Sequence, residues 1–250
     1  MSHGAPKPLR LASGGADERS VCPLGVCDGS GWVLGPEDVA RPCECREGRM
    51  ARRRARGVAS AIPARYRGVS FDRPPVSDMA RQPARAPVFE AVREYTEAIG
   101  DRLAEGHGLW LMGDVGTGKT SLAMLVSKAV VEAGHTVAIY SLPRLLARIR
   151  RTYDAEAGED SYLDFFTRLT SVDLLHIDDL GAEKRSDWVL EQLYAIVDER
   201  YESKRSMVVT TNLGQDELEQ QIGPRTVSRL VEICGDPLPL FGEDERYRVA

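Results

Sequence analysis

Long apolar runs are missing from this 250-residue chain. None approaches the roughly 18 consecutive apolar residues that a membrane-spanning helix needs. The opening, MSHGAPKPLRLASGGADERS, lacks the apolar core of a secretory leader, so the expected location is cytoplasmic and no membrane partner is expected. Aromatic residues are few, at 6%, and no internal repeat is present. A one-signed excess of charge is also lacking: 33 Lys+Arg against 38 Asp+Glu leave a formal net charge of −5. A uniformly basic nucleic-acid-binding chain is thereby excluded, and any such contact must be local. What is present, 42% hydrophobic and 28% charged residues, excludes a wholly disordered chain.

The charge is unevenly placed. Residues 1–70 hold 12 Lys+Arg and 7 Asp+Glu, whereas residues 71–250 hold 21 and 31. The densest basic run, Arg46 to Arg56, contains Arg49, Arg52, Arg53 and Arg54 and reads equally as a local nucleic-acid contact or as a solvated linker or helix face. Four of the five cysteines fall within 24 residues: Cys22 and Cys27 as C-x4-C, Cys43 and Cys45 as C-x-C. Four thiolates can enclose Zn²⁺ tetrahedrally and so fold a segment too small for its own core. The glycines of CDGSGW would let the chain turn back near the metal. Free or paired thiols are the alternative, although nothing indicates the oxidising compartment that disulfides need. Cys234, in LVEICG, reads as a buried apolar residue.

Residues 1–20 are expected to be a disordered tail, 21–60 a zinc-binding module with a basic linker, and 61–250 a nucleotide-binding domain. The four prolines in 71–87 predict an extended loop. Val88, Val92, Tyr95, Ile99 and Leu103 recur at helical spacing and predict one amphipathic helix over 88–104. Strands and helices then alternate. Strands are expected at 108–113, 136–141, 172–179, 206–212 and 237–242, and helices at 120–133, 142–153, 162–169, 187–203, 216–221 and 226–233. Five strands in this rhythm predict an α/β three-layer sandwich with a mostly parallel sheet.

The chemistry is concentrated in GDVGTGKT, which matches G-x-x-x-x-G-K-[ST] between a predicted strand and a predicted helix. The expected nucleotide-binding residues are Gly113, Asp114, Val115, Gly116, Thr117, Gly118, Lys119, Thr120 and Ser121. The glycines let backbone N–H groups turn towards phosphate oxygens, and the helix N-terminus adds its dipole. Lys119 supplies charge to the β- and γ-phosphates, and Thr120 a hydroxyl ligand for Mg²⁺. In LLHIDD the chain crosses the sheet interior and delivers two carboxylates at the strand's C-terminal edge, where ligands of open α/β sheets bind. Asp178 is expected at Mg²⁺, and Asp179 to orient or deprotonate the attacking water. Asn212, ending VVTTN, would face the γ-phosphate if its strand lay between the Gly-loop strand and the acidic strand. Arg225 and Arg229 share a helix face, and Arg248 follows the fifth strand; each reads as a surface ion pair or as a phosphate-reaching arginine.

The ordered set GDVGTGKT, LLHIDDLGAEK, DERYESKRSMVVTTNL, SRLVEICG and DERYR resembles the DnaC/DnaI/IstB group of AAA+ ATPases. IPARYRGVSFDRP, residues 62–74, resembles the stretch that opens their ATPase domain. The resemblance covers about residues 62–250. It implies an AAA+ domain, Asn212 as the sensor I residue, Arg229 of SRL as the arginine finger and Arg248 as the sensor II arginine. The 38 residues after Asn212 are too few for a four-helix lid, so none is expected. It further implies ATP and Mg²⁺ as cofactors beside Zn²⁺, ATP hydrolysis, and homo-oligomers formed on ATP or DNA binding. Helicase loaders of the DnaI type carry a small zinc-binding domain before the ATPase; transposition helpers of the IstB type usually carry a helical one. CPLGVCDGSGWV with PCEC is similar to the former, so the implied role is delivery of a replicative DnaB-type helicase to single-stranded DNA. The alternatives are an ATP-dependent helper of a transposase and a nucleotide-gated DNA-binding adaptor with negligible turnover. Arg144, Arg148, Arg150, Arg151 and Tyr153, then Tyr162, Phe165 and Phe166, offer cations for phosphates and rings for bases, in the region that the resemblance implicates in single-stranded DNA binding. The same residues also suit an amphipathic helix with solvated arginines and a core phenylalanine pair.

Overall fold

Between the two cysteine pairs the chain doubles back as an antiparallel hairpin of β1 (Trp32–Leu34) and β2 (Ala40–Pro42), with Trp32 opposite Pro42. The turn into it needs Gly31, whose φ is 81° and whose carbonyl accepts from the Cys43 N–H at 2.9 Å. The Arg46 guanidinium covers the Trp32 ring at 3.9 Å, a cation–π contact at an exposed site. The hairpin lies in a first compact unit that ends at Arg49; a second runs from Met50. The structure, a computed structural model, describes residues 22, 24–35, 39–46, 48, 50, 62–153, 161–242 and 244. The tail expected over 1–20, most of the basic run and Arg248 lie outside the described residues.

The second unit opens on a 3-10 turn, Ala64–Tyr66. Helices α1 (Val76–Met79), α2 (Ala86–Glu97) and α3 (Ile99–Glu105) follow, then β3 (Leu109–Met112) and α4 (Lys119–Glu132). The alternation continues with β4 (Val137–Ser141), α5 (Leu142–Tyr153), α6 (Tyr162–Ser171), β5 (Leu174–Asp178), α7 (Asp187–Glu202) and β6 (Ser206–Thr211). Helices α8 (Gln215–Ile222) and α9 (Pro224–Cys234) and the short β7 (Leu238–Pro239) complete it. Side-chain caps fix two helix starts: Ser161 accepts from the Asp164 N–H at 3.2 Å and Ser186 from the Val189 N–H at 3.3 Å, each satisfying a donor that the helix leaves orphaned.

Two expectations are corrected. The proline-rich stretch 71–87 is not wholly extended: Val76 and Met79, three apart on α1, are both buried, and that burial holds a helical turn among the prolines. The helix expected over 88–104 breaks at Ala98 (φ −98°, ψ 23°) into α2 and α3. The apolar residues keep one face across the break, so their period does not reveal it.

The five strands of the second unit run in the order β4-β5-β6-β3-β7, every pair parallel. Alternation along them feeds two cores. Trp110, Leu175, Ile177, Met207 and Val209 face Leu142, Leu145, Phe165, Leu193 and Leu230, whereas Leu111, Leu174 and Val208 face Val92, Leu122 and Val126. This is the expected three-layer sandwich. Because β6 lies between β3 and β5, the Gly loop, the Asp178 strand end and Asn212 emerge side by side at one sheet edge.

The opposite edge is held by one buried cation. Arg200 on α7 is fully buried and donates to the carbonyls of Thr170 (3.1 Å), Val172 (3.0 Å), Asp173 (3.2 Å) and Ser206 (2.5 Å). It joins the end of α6 to the starts of β5 and β6. Burial, and next the charge of Arg205, push its guanidinium down to about 9. Each buried carbonyl left without a donor costs about 1–3 kcal/mol, so Arg200→Met is expected to lower the unfolding free energy by about 3 kcal/mol or more. Urea titration of both proteins measures it; a loss below about 1 kcal/mol would contradict this role.

Candidate functional site

The loop after β3 is shaped by three glycines at positive φ: Gly113 (143°), Gly116 (77°) and Gly118 (100°). A Cβ at Gly118 would stand 2.0 Å from Cε of Met79, whose flexible tip would have to shift. The short α1 therefore backs the loop. Lys119 is buried at the first position of α4, and its Nζ donates to the carbonyls of Gly113 (2.8 Å) and Asp114 (2.5 Å). Thr117 Oγ1 donates to the Asp114 carbonyl at 2.8 Å. The chain after β7 straps the loop: Asp114 N–H donates to Leu240 O at 3.2 Å, and Asp114 Oδ2 accepts from the Gly242 N–H at 2.9 Å. The Asp244 carboxylate lies against Gly116, where a Cβ would be 1.8 Å from its Oδ1. Val115 is exposed at the loop tip.

The acidic strand meets this loop. Asp178 Oδ1 accepts from Thr120 Oγ1 at 2.9 Å and from Thr210 Oγ1 at 2.7 Å. Thr210 in turn accepts from the Asp179 N–H at 3.0 Å. Three elements, α4, β5 and β6, thus converge on one carboxylate. Asp179 takes a left-handed backbone (φ 56°), uncommon for a residue with a Cβ. Burial raises its carboxyl above the usual range and Asp178 adds to this; Lys119 and Arg65 oppose it. Behind them, His176 is fully buried and shares a 2.9 Å hydrogen bond with Ser127 on α4. Burial pushes its imidazole down to about 3, so a neutral ring ties α4 to β5.

Sequence reasoning misses two contributors. Thr210 is a threonine at a strand end, and the pair Thr210–Thr211 is its only signal. Arg65 and Tyr66 come from the 3-10 turn, 48 and 47 residues before Gly113. The Arg65 guanidinium stands over the Tyr66 ring at 4.4 Å and donates to its hydroxyl. Burial raises the Tyr66 phenol above its usual value; Arg65 opposes this, the Asp178 charge adds to it, and a hydrogen-bonding interaction with Thr120 opposes it.

Other expected residues lie elsewhere. Asn212 leaves β6 at the same edge, exposed. Arg229, on α9, is ion-paired with Asp198 of α7 and stands over the Tyr201 ring at 4.8 Å. Its neighbours are thus on α7 and not in its own Gly loop. It borders a cavity of about 470 Å³ lined by Tyr194, Pro224, Arg225, Ser228 and Arg229. On α5, Arg144 and Arg151 are exposed and Arg148 half-buried on one face, while Arg150 covers the Trp188 ring at 4.6 Å. Tyr153 and Tyr162 stack at 5.3 Å. Phe165, considered as a base-stacking ring, is fully buried in the core and is excluded from that role.

In the first unit, the sulfurs of Cys22, Cys27, Cys43 and Cys45 all lie within 4.8 Å of one another. Cys22 and Cys43 are 3.9 Å apart, Cys27 and Cys45 3.6 Å. A tetrahedron with Zn–S bonds of about 2.3 Å has edges of about 3.8 Å, so the donor set fits zinc. Backbone hydrogen bonding, first from Cys27 and then from Val26 and Leu24, overcomes burial and pulls the Cys22 thiol down to about 6. Burial and the neighbouring thiols push Cys45 up to about 12.

The family model described as IstB-like ATP binding protein matches residues 101–231. The replicative helicase loader DnaC of Buchnera aphidicola subsp. Schizaphis graminum is 29% identical over 163 residues, 64% of this chain and 63% of that protein. The replicative helicase loader DnaI of Bacillus subtilis is 22% identical over 193 residues, 72% of this chain and 59% of that protein. Among solved structures, a crystal structure of the DnaC helicase loader superposes with a TM-score of 0.60 at 26% identity, covering 72% of this chain and 100% of the other. The chain spans less than two thirds of the length of either curated relative. Among the described residues, no helix is long and apolar enough to cross a membrane.

Proposed function

The chain belongs to the IstB-like ATP-binding family of AAA+ proteins, and from that premise we propose that it hydrolyses ATP to deliver a replicative DnaB-type helicase to single-stranded DNA. The observation that carries the ATPase reading is the meeting of Thr120, Asp178 and Asp179 at the mouth of the Gly113–Ser121 loop. Hard oxygens of Thr120 and Asp178 suit Mg²⁺, which would neutralise charge on the β- and γ-phosphates. The loop's backbone N–H groups and Lys119 hold the phosphates. Asp179, whose carboxylate burial and the Asp178 charge make more basic than usual, is suited in its ionised form to accept a proton from the attacking water. Asn212 would orient that water from the adjacent strand. Arg229 would act on the γ-phosphate of a neighbouring subunit, and Arg248 on that of its own.

The helicase partner is proposed from the DnaC and DnaI relatives. The four-cysteine cluster supports this reading over the transposition helper, with Zn²⁺ organising a module that grips the helicase. Capture of purified helicase against capture of a transposase tests the partner; phosphate release with and without single-stranded DNA separates an ATPase from a nucleotide-gated adaptor.

The row Arg144, Arg148 and Arg151 on α5 is the proposed DNA face. Replacing Arg148 and Arg151 by alanine is expected to weaken single-stranded DNA binding. It should also flatten the dependence of log affinity on log salt by about 1.4, at about 0.7 for each phosphate deprived of its arginine. Equal slopes for the two proteins would place the DNA elsewhere.

A further inference from the structure

Three side chains of one helix converge on Arg229. Tyr194, Asp198 and Tyr201 follow one another on α7 at intervals of four and three residues, the spacing that puts them on one helical face. Asp198 Oδ1 is ion-paired with Arg229 Nε. The Tyr201 and Tyr194 ring centres lie 4.8 and 5.7 Å from the guanidinium carbon, and Nη2 donates towards the Tyr194 hydroxyl at 3.5 Å. A planar guanidinium held at Nε by a carboxylate and faced by a ring has both its plane and its direction fixed. The cradle adds little to the joining of the two helices. The Arg229 and Asp198 side chains remain 25% and 31% exposed, and ion pairs open to water to that extent contribute little to stability. Leu193, Ile196 and Val197 of α7 already share one core with Val227 and Leu230 of α9. On its open side Arg229 borders the 470 Å³ cavity with Arg225 and Ser228, both exposed. A long cationic side chain ordered before association costs less entropy when it meets its target.

We infer that Asp198 is the positioning residue of Arg229: with Tyr201 beside it, it fixes the guanidinium in the direction in which it meets the terminal phosphate bound by a second copy of this chain. The inference rests on the reading of Arg229 as acting on a neighbouring subunit, and it deepens that reading. Asp198 touches neither nucleotide nor water and acts through Arg229.

The test is ATP hydrolysis by the full chain, with variants alone and in equal mixtures whose co-assembly is shown by cross-linking. Asp198→Ala is expected to lower kcat about tenfold to a hundredfold, the scale of a reacting group displaced by about an ångström. KM for Mg·ATP should stay within about twofold, because its own nucleotide loop is intact. Asp198→Asn, which keeps the shape and loses the charge, should fall between wild type and Asp198→Ala. Mixing Asp198→Ala with Lys119→Ala should recover part of the activity, since the second subunit brings a correctly held Arg229 to the intact loop of the first. Mixing it with Arg229→Ala should recover none. An Asp198→Ala chain that Lys119→Ala does not rescue would show a structural role and overturn the inference. So would wild-type kcat in Asp198→Ala beside a slow Arg229→Ala that Lys119→Ala does rescue, and there the reading of Arg229 would stand. Arg229→Ala at the wild-type rate, or left slow in a proven mixed assembly with Lys119→Ala, would overturn both.

Discussion

Lys119→Ala is expected to lower ATP turnover by about a hundredfold or more, the scale seen when one preorganised donor to a developing anionic charge is removed. Its ammonium is the cation nearest the loop's phosphate-binding backbone, held there by the Gly113 and Asp114 carbonyls. The fold should therefore lose only about 1 kcal/mol, which for a chain of this size corresponds to about 2–4 °C in Tm. Phosphate release, equilibrium nucleotide binding and a melting curve on the same preparation check the two halves together. Unchanged turnover would remove Lys119 from the mechanism. A collapse in Tm would show that it is structural.

The cysteine cluster carries the second large effect. Among the described residues of the first unit, the core is Cys22, Cys43 and Cys45, with Cys27 and Val33 packed against them, while Leu24, Val26, Trp32, Leu34 and Val39 are exposed. These described core residues, one valine and four thiols, cannot by themselves offset the entropy of ordering the hairpin. Zinc binding at a structural four-thiolate site is worth about 10–16 kcal/mol at neutral pH and would supply the folding free energy outright. We expect about one Zn²⁺ per chain; its removal by a chelator, or Cys22→Ser, should unfold the β1–β2 hairpin and change the emission of Trp32. The metal needs thiolates, so its affinity should fall on acidification as protons compete for the ligands. Elemental analysis of reduced, metal-replete protein showing no stoichiometric zinc would contradict this.

The parts of the fold that were legible in the sequence are those governed by local pattern. Apolar strands bounded by glycines or acids placed all five strands of the second unit, and the helical period over Leu142–Tyr153 matched α5 from end to end. The Gly loop and LLHIDD were legible because their chemistry is written in consecutive residues. What escaped is non-local. Val76–Met79 is a helix because two side chains find a core and a glycine loop to pack on, which a run of prolines conceals. Phe165 is buried in the core, whereas its neighbour Phe166 is only partly covered; helical spacing alone does not divide such a pair. Arg65 and Tyr66 influence the site electrostatically from 48 and 47 residues before Gly113. Arg200 sat inside a family-like motif, DERYESKRS, but its task of collecting four carbonyls appears only when α6, β5 and β6 are assembled around it. The hairpin β1–β2 escaped because its strands are three residues each, too short for an alternating pattern.

The most direct measurement of the central claim is a loading assay. Purified chain, a replicative DnaB-type helicase and a single-stranded DNA circle are mixed with Mg·ATP, and the helicase retained on the circle is counted after a high-salt wash. The account predicts that wild-type protein raises helicase retention well above that of helicase alone, and that Lys119→Ala does not. Retention unaffected by wild-type protein, together with nucleotide-dependent capture of a transposase in its place, would contradict it.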